Sequence, residues 1–136
     1  MAYIIRNFDL ADLRPSTGVG IKIPFDGPTG VTTTYSTKDA VKSNLLNYIL
    51  TGKRERIFNP TFGSGLPELL FEPVNDDLAA RIENLILGGV EQYFPRVIVN
   101  NIEINLSPDN STVNIYMNYS VTNTNIEDEF ELNINR

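Results

Sequence analysis

The glutamates of this sequence are the residues that could support hydrolytic chemistry. His and Cys are both absent, which excludes imidazole bases, thiolate nucleophiles and the commonest metal ligands. Glycoside hydrolysis instead needs one protonated and one ionised carboxyl group across a sugar-sized cleft. The spacing of the glutamates places no two of them on opposite sides of a cleft, and no Trp is present to form a sugar-binding surface. We therefore predict no catalytic, cofactor-binding or metal site. By residue type the candidates are Glu55, Glu68, Glu72 and Glu91.

A glycine-containing segment, residues 58–66, is the second place where chemistry could occur. Its sequence is Phe-Asn-Pro-Thr-Phe-Gly-Ser-Gly-Leu, and a glycine pair of this kind can suggest a phosphate-binding loop. The Gly-Lys-Ser/Thr ending and the preceding buried strand are both missing, which excludes that interpretation. We predict a tight turn that carries two Phe rings onto the helices, with Gly63 and Gly65 supplying unusual backbone angles.

Two further segments could bind a partner through arginine. Residues 53–56, Lys-Arg-Glu-Arg, could bind an acidic partner or a phosphate. They are equally typical of a solvent-exposed helix C-terminus, where cations complement the helix dipole. Residues 93–96, Tyr-Phe-Pro-Arg, lie where a helix should give way to a strand. Arg96 could hold a carboxylate in bidentate geometry. The pattern leaves open whether it is a clamp within the domain or an anchor at an interface.

Size and charge narrow the class of protein. The 136 residues, 41% of them apolar, suffice for one ordinary domain with a sizeable core. Lys and Arg number 11 against 17 Asp and Glu, for a net charge of −6, so no nucleic-acid partner is expected. The longest apolar runs are about five residues, against roughly 20 for a bilayer span. With no signal peptide evident either, no membrane partner is expected.

The apolar pattern predicts an α+β fold, with two main helices packed on a C-terminal antiparallel β-meander. Gly and Pro are dense in residues 1–34, which predicts an extended N-terminal arm with one short strand in residues 19–25. Residues 35–136 should form a single domain. The elements predicted there are helices at about 36–51 and 76–92 and strands at about 97–106, 112–121 and 129–135.

The predicted sheet has one apolar face and two open edges. Its first strand has four apolar residues of one parity that should face the helices, namely Ile98, Ile102, Ile104 and Leu106. A three-stranded meander leaves unpaired N–H and C=O groups along both outer strands. The acidic run 127–129 and Glu131 could protect such an edge by charge. Alternatively, the edge accepts an extended segment of a partner, and the sequence leaves both possibilities open.

Three motifs occur in order in the middle of the chain. They are Leu-Leu-Asn-Tyr-Ile-Leu-Thr-Gly-Lys-Arg-Glu-Arg at 45–56, Asn-Pro-Thr-Phe-Gly-Ser-Gly-Leu at 59–66 and Leu-Leu-Phe-Glu-Pro at 69–73. In this order and spacing they resemble the gene-25-like family of baseplate wedge proteins in contractile phage tails, also called baseplate assembly protein W. The type VI secretion component TssE is similar to that family. The resemblance covers about residues 36–106.

Two motifs depart from the family pattern. The Gly-Glu-Arg turn of the family is stretched here, because Lys53 and Arg54 separate Gly52 from Glu55. The family's Glu-Pro-Arg motif, associated with docking on the helical core bundle of the wedge, has Phe94 in place of the acid.

The resemblance implies a structural, non-enzymatic baseplate component that docks on the wedge core bundle and templates the first sheath ring by β-strand addition. Expected partners are other baseplate wedge proteins and the tail sheath protein, with the tail tube as a further candidate. Several copies per particle are expected around the tail axis. The expected location is the virion tail baseplate, and the host cytoplasm during assembly. Because the family has also been labelled lysozyme-like, a peptidoglycan-cleaving enzyme is the alternative.

The resemblance also implies roles for three sets of residues. The wedge-core contact is expected at Phe94, Pro95, Arg96, Glu55 and Arg56. A structural turn is expected at Pro60, Phe62, Gly63, Glu72 and Pro73. Strand addition by the sheath is expected at Val113, Ile115, Met117, Tyr119, Phe130, Leu132 and Ile134.

Overall fold

The structure, a computed structural model, describes residues 16, 18–23, 30–107 and 112–135. The elements in chain order are β1 (Gly20–Ile21), β2 (Thr33–Thr34), α1 (Thr37–Leu50), α2 (Leu66–Leu69), α3 (Asp76–Tyr93), β3 (Val97–Ser107), β4 (Thr112–Val121) and β5 (Glu127–Asn135). The last three strands form one antiparallel sheet in the order β3-β4-β5, and β1 pairs with β2. The predicted α+β fold is confirmed. Within the described ranges, no helix is long and apolar enough to cross a bilayer.

Helix α1 begins at a cap that the sequence marks. The Ser36 hydroxyl accepts a hydrogen bond from the Asp39 N–H at 3.2 Å and donates one to the Asp39 carboxylate at 2.8 Å. Such a cap satisfies an N–H group that has no partner inside the helix. The helix starts in a defined register and turns Leu45 and Ile49 fully into the core.

The core lies between the long helices and one face of the sheet. Along β4, buried and half-buried residues alternate without interruption, as expected for a central strand with one covered face. Fully burying a side chain of this size contributes about 1.5–3 kcal/mol, so the cluster is the main source of stability. Its fully buried members from α3 and β4 include Leu78, Ile82, Ile86, Val90, Ile115 and Met117.

A β-bulge in β3 changes which of its residues face the helices. Val99 pairs with Tyr119 and Asn101 pairs with Asn118, which leaves one extra residue in β3. Side chains alternate strictly along a strand, so an extra residue reverses the alternation. The prediction that Ile98 shares the core face is therefore wrong, and its side chain is 52% exposed. Ile102, Ile104 and Leu106, beyond the bulge, pack against the core as predicted.

The described part of the N-terminal segment forms a two-stranded sheet against α1. One short strand was predicted in residues 19–25, whereas the structure pairs β1 with β2. The Ile23 N–H donates to the Ser43 hydroxyl of α1 at 3.2 Å. The rest of the predicted arm, residues 1–15, 17 and 24–29, lies outside the described residues.

Two lysines of α1 hold the helix against β5. Lys38 and Lys42 place their ammonium groups 3.4 and 3.9 Å from the carboxylate oxygens of Asp128. The Asp128 side chain is only 13% exposed, so the pair is less screened by solvent than a surface pair. Lys42 also donates to the Glu129 carbonyl at 3.1 Å. These contacts fix how α1 lies along the outer strand.

Candidate functional site

The α1–α2 loop, residues 51–65, closes the C-terminal end of α1. The buried Ser64 donates from its hydroxyl to the Ile49 carbonyl at 2.6 Å. Its N–H donates to the carbonyls of Tyr48 and Thr51 at 3.2 and 3.1 Å. Carbonyls at a helix end lack intrahelical partners, and one buried serine satisfies several of them here. The role of Ser64 was not predictable, because a serine between two glycines carries no signal for this contact.

Glu55 and Glu68 both turn toward the start of the α1–α2 loop. The Gly52 N–H donates to Glu55 Oε2 at 2.7 Å, and the Lys53 N–H donates to Glu68 Oε1 at 2.9 Å. Hydrogen bonds from main-chain N–H groups to carboxylates are among the strong ones in proteins. The structure therefore brings two of the candidate acids together as a clamp on the main chain. The Glu55 carboxylate faces its own turn, unlike the neighbouring Arg56.

Glu72 is held by an arginine of α3. Its Oε1 accepts from Arg81 Nη2 at 3.1 Å, and its Oε2 accepts from Arg81 Nη1. This hydrogen bonding lowers the pKa of Glu72 from its ordinary value. A general acid in glycoside hydrolysis needs a raised pKa, so the shift has the opposite direction. Glu72 and Pro73 lie in the linker between α2 and α3, and Glu91 is exposed on α3.

An aromatic cluster joins the α1–α2 loop to the end of α3. The ring centroids of Tyr48 and Phe62 lie 5.4 Å apart, those of Phe62 and Tyr93 5.2 Å, and those of Tyr48 and Phe94 5.8 Å. All three pairs have the edge-to-face geometry that aromatic rings prefer. The Arg56 guanidinium carbon lies 4.1 Å from the Phe62 centroid, a cation–π contact. Arg56 and Phe94, both predicted in the wedge-core contact, thus belong to one cluster.

Hydrogen bonds hold the outer part of the α1–α2 loop. The Tyr93 hydroxyl donates to the Thr61 carbonyl at 2.8 Å, and Lys53 Nζ donates to the same carbonyl at 3.3 Å. The Arg54 N–H donates to the Pro60 carbonyl at 2.9 Å across the turn. The loop therefore has a defined shape before any partner binds, which lowers the entropy cost of binding.

Phe94, Pro95 and Arg96 border a cavity of about 240 Å³ between α1 and the start of β3. Pro95 and Arg96 are exposed, whereas Phe94 is half-buried. The Thr122 N–H donates to the Arg96 carbonyl at 2.7 Å, which fixes the main chain of Arg96. The guanidinium of Arg96, beside this small cavity, suits a partner that offers an apolar side chain next to a carboxylate. The other residues around the cavity are Thr37, Val41, Asn44, Tyr93, Val97 and Val121.

Two large apolar side chains stand at the tip of the α1–α2 loop. Ile57 is 89% exposed and Phe58 is 102% exposed. The prediction that both Phe rings of this segment pack on the helices is wrong for Phe58, while Phe62 packs against the core. The reason is the turn between Arg54 and Pro60, which places Phe58 at its outer end. Exposed apolar groups on an ordered turn are typical of an interaction surface.

One hydrogen bond identifies the residues of β5 whose main-chain N–H and C=O groups point away from β4. The Val121 N–H donates to the Ile126 carbonyl at 3.0 Å where β4 turns into β5. Bonded and non-bonded pairs alternate along an antiparallel ladder. In the observed register, the N–H and C=O groups of residues 128, 130, 132 and 134 therefore point to β4. Those of residues 127, 129, 131, 133 and 135 point away, and no strand of the described chain pairs with them.

The residues predicted for strand addition fall on two strands. One group lies on β4, which is the central strand and pairs with β3 and β5. Both ladders of β4 are already occupied within the sheet, so this group does not lie on an open edge; it comprises Val113, Ile115, Met117 and Tyr119. The other group, Phe130, Leu132 and Ile134, lies on the outer strand β5 with side chains toward the core.

A groove of about 990 Å³ runs between β5, α1 and the small N-terminal sheet. β5 contributes Glu129, Phe130 and Glu131 to its wall, and α1 contributes Asp39 and Lys42. This groove was not predictable from the sequence, since it arises from how the N-terminal segment packs on α1. It lies alongside the unpaired edge of β5.

These features define a small α+β module with an ordered loop, a cavity beside Arg96 and an open sheet edge. Residues 35–126 match the family described as baseplate wedge protein gp25, and the chain belongs to that family. The resemblance predicted from the three sequence motifs is thereby confirmed.

Similar proteins include a phage protein and two solved structures. The baseplate wedge protein gp25 of Enterobacteria phage T4 is 33% identical over 84 residues, which cover 60% of this chain and 62% of that protein. The match thus spans about three fifths of the phage protein. A Geobacter sulfurreducens protein named as a tail lysozyme has a TM-score of 0.65 at 20% identity, covering 74% of this chain and 91% of that chain. A chain of the anti-feeding prophage baseplate has a TM-score of 0.52 at 22% identity, covering 79% and 75%. At such identities, the two structures show a shared fold.

Proposed function

We propose that this chain is a non-enzymatic structural component of a contractile-tail baseplate that docks on wedge proteins and receives a strand of the tail sheath. The observation that carries the proposal is the outer strand β5, whose outward main-chain groups pair with no strand among the described residues. Unpaired edges favour aggregation unless they are covered or used. Because the chain belongs to a baseplate wedge family, we infer that a strand from a neighbouring tail protein pairs with this edge.

Docking on the wedge uses the surface around the aromatic cluster. Arg96 and the cavity beside it lie at the end of α3, and Arg56 contacts Phe62 of the same cluster. The exposed Ile57 and Phe58 extend this surface beyond the predicted contact residues. Arginine and aromatic anchors are enriched among the residues that contribute most at protein interfaces. The predicted contact residues of the α1–α2 loop, Glu55 and Arg56, and those at the end of α3, Phe94, Pro95 and Arg96, can therefore bind one partner together.

A structural role agrees with how the candidate acids are used. Glu55 and Glu68 hold the main chain of a turn, and Glu72 pairs with Arg81. None of these contacts prepares a protonated carboxyl group opposite an ionised one, as glycosidases require. The proposal therefore gives this chain no lytic activity.

The proposed partners are other baseplate wedge proteins and the tail sheath protein, with the tail tube as a neighbour along the tail axis. Several copies would surround that axis, because a ring of sheath subunits needs one template edge per subunit. The proposed location is the virion tail baseplate, reached after assembly in the host cytoplasm.

Replacing Arg96 tests the docking surface. Arg96→Ala is expected to weaken binding to purified wedge partners about tenfold, which corresponds to about 1.4 kcal/mol. The fold should be retained, because the Arg96 main chain rather than its side chain bonds to Thr122. Binding is measured by calorimetry, with Arg96→Lys as a variant that keeps the charge and loses the fork. The exposed Glu83→Gln on α3 is the control. Unchanged affinity of Arg96→Ala would remove this residue from the contact.

Blocking one outward N–H tests strand addition. Asn133 is exposed and its N–H points away from β4, so Asn133→Pro removes an edge donor and leaves the β4–β5 bonds in place. This variant is expected to bind wedge partners normally and to lower the fraction of baseplates that carry sheath at least tenfold. Electron microscopy of assembled particles gives that fraction. Asn133→Thr, which keeps the N–H, is the matched control. Full-length sheath on Asn133→Pro baseplates would refute a template role for this edge.

A further inference from the structure

We propose that the β5 edge selects an extended segment in which Lys or Arg alternates with apolar residues. The inference rests on the strand addition proposed above and names the chemistry of the segment that is added. It follows from three features of the edge: a row of carboxylates, a row of apolar side chains, and the groove beside them.

The carboxylates form a row on the solvent-facing side of β5. Glu127, Glu129 and Glu131 are all exposed, and they are the residues whose main-chain groups point outward. The Tyr116 hydroxyl donates to the Glu129 carboxylate, which holds that charge on the same face of the sheet. A strand added to this edge would place alternate side chains directly opposite the row, where opposite charges stabilise pairing and like charges destabilise it.

The nearby lysines do not offset this row. Lys38 and Lys42 pair with Asp128, and Asp128 belongs to the other parity of β5. Successive side chains of a strand point to opposite faces, so these pairs lie on the core-facing side. Lys22, which also borders the groove, is one cation against the three carboxylates of the row. The solvent-facing row therefore keeps an excess of negative charge along three alternate positions.

Apolar side chains occupy the core-facing side of the same edge. Phe130 is buried and Leu132 and Ile134 are half-buried, all packed against the core. The half-buried pair leaves apolar surface open at the sheet margin. An added strand would cover it with its own alternate residues, which are therefore expected to be apolar.

The groove supplies room for such a segment. Its volume of about 990 Å³ lies beside Glu129, Phe130 and Glu131, between β5 and α1. Lys42 already donates to the outward Glu129 carbonyl, so an entering strand would replace this contact with a main-chain hydrogen bond. The edge thus offers main-chain groups, negative charge and apolar surface in the alternation of one β-strand.

Three synthetic nine-residue peptides test the selection. In the first, Lys alternates with Val and Leu; in the second, Glu replaces each Lys; the third has the composition of the first with its lysines in one block. Affinity for the full chain is measured by fluorescence anisotropy, and protection of individual amides by hydrogen exchange. The alternating Lys peptide is expected to bind at least tenfold more tightly than either of the others. It should also slow exchange at the Glu129, Glu131 and Asn133 amides.

Variants of the protein separate local from general charge effects. The triple substitution Glu127→Gln, Glu129→Gln and Glu131→Gln is expected to remove the preference for the Lys peptide over the Glu peptide. The control, Glu83→Gln with Glu91→Gln, changes exposed acids on α3 and should leave that preference intact. Equal loss in both variants would indicate general attraction to an acidic protein and overturn the proposal.

The remaining outcomes also decide the question. Equal affinity of the Lys and Glu peptides, binding without protection of the edge amides, or protection of those amides by a second copy of this chain would each overturn the proposed selection. If the peptides fail to discriminate while Asn133→Pro still prevents sheath growth, charge selection is rejected and strand addition stands. If sheath growth also proceeds on Asn133→Pro baseplates, both are rejected.

Discussion

Gly89→Ala is expected to lower the free energy of unfolding by about 3 kcal/mol, at the upper end for overpacked cores. A Cβ atom at this position would lie 1.6 Å from the Tyr48 hydroxyl oxygen and 2.2 Å from its Cζ atom. The Tyr48 ring is fully buried and packs edge-on against Phe62 and Phe94. It therefore has little freedom to move away. The glycine that weakens the helix locally is what allows α3 to approach this ring.

Gly88→Ala is the matched control for Gly89→Ala. Among the described residues, nothing lies within 4 Å of a Cβ atom placed on Gly88. Ala is favoured over Gly inside a helix by about 0.8–1 kcal/mol, so this variant is expected to be more stable than the parent chain. Urea unfolding followed by circular dichroism gives both values. Similar changes in the two variants would show that the contact with Tyr48 does not limit the packing of α3.

Adding Tyr48→Phe to Gly89→Ala refines the same test. The hydroxyl oxygen is removed, but the ring carbon at 2.2 Å remains. We therefore expect a partial recovery of stability.

The long helices were predictable because their signals are local. Ser36 and Asp39 mark the start of α1 within four residues of sequence, and apolar residues recur at helical spacing along α1 and α3. In β4, strict alternation identified the buried face. Spacing along one segment is sufficient to predict each of these features.

The orientation of Ile98 was not predictable from alternation alone. A single extra residue between Val99 and Asn101 reverses the face to which preceding side chains point. Val97 and Val99 then pack against the core in place of Ile98. Both parities before the bulge are apolar, so the sequence contains no signal for where the alternation changes.

The sequence identified individual residues of the candidate site but not how they are arranged relative to one another. The motifs identified Arg56 and Phe94, yet their proximity depends on Tyr48 and Phe62, which connect them through ring contacts. Which strand of a meander is central follows from chain order, and on that ground β4 should have been excluded as an edge. The use of Glu55 and Glu68 as a main-chain clamp depends on tertiary contacts that spacing does not reveal.

The α1–α2 loop links the stability of the fold to the proposed docking surface. Ser64 anchors it to the end of α1, and the Phe62 ring anchors it to Tyr93 at the end of α3. Arg56 is placed by its contact with that same ring. A change that displaces the loop should therefore reduce stability and docking together, whereas loss of the Arg96 side chain should affect docking alone.

Gly63→Ala is expected to have this double effect, with a loss of about 3–4 kcal/mol in the free energy of unfolding. Gly63 has a φ of 120°, and a Cβ atom there would lie 2.6 Å from the carbonyl oxygens of both Thr51 and Gly52. The backbone conformation alone costs an L-residue about 1–2 kcal/mol, and the contact with two main-chain oxygens adds to it. Those oxygens cannot rotate away as a flexible side chain could.

Gly30→Ala separates the two contributions to the Gly63→Ala effect. Gly30 also has a positive φ, 77°, but no described atom lies within 4 Å of an added Cβ. Its substitution should cost only the backbone contribution of about 1–2 kcal/mol and leave wedge binding unchanged.

Urea unfolding and calorimetric binding to wedge partners are measured for both variants. The expected result is a larger stability loss for Gly63→Ala, together with weakened binding, because Phe62 and Arg56 move with the loop. Equal stability losses in the two variants, or undiminished binding by folded Gly63→Ala, would show that the main-chain contact at Gly63 does not position the docking surface.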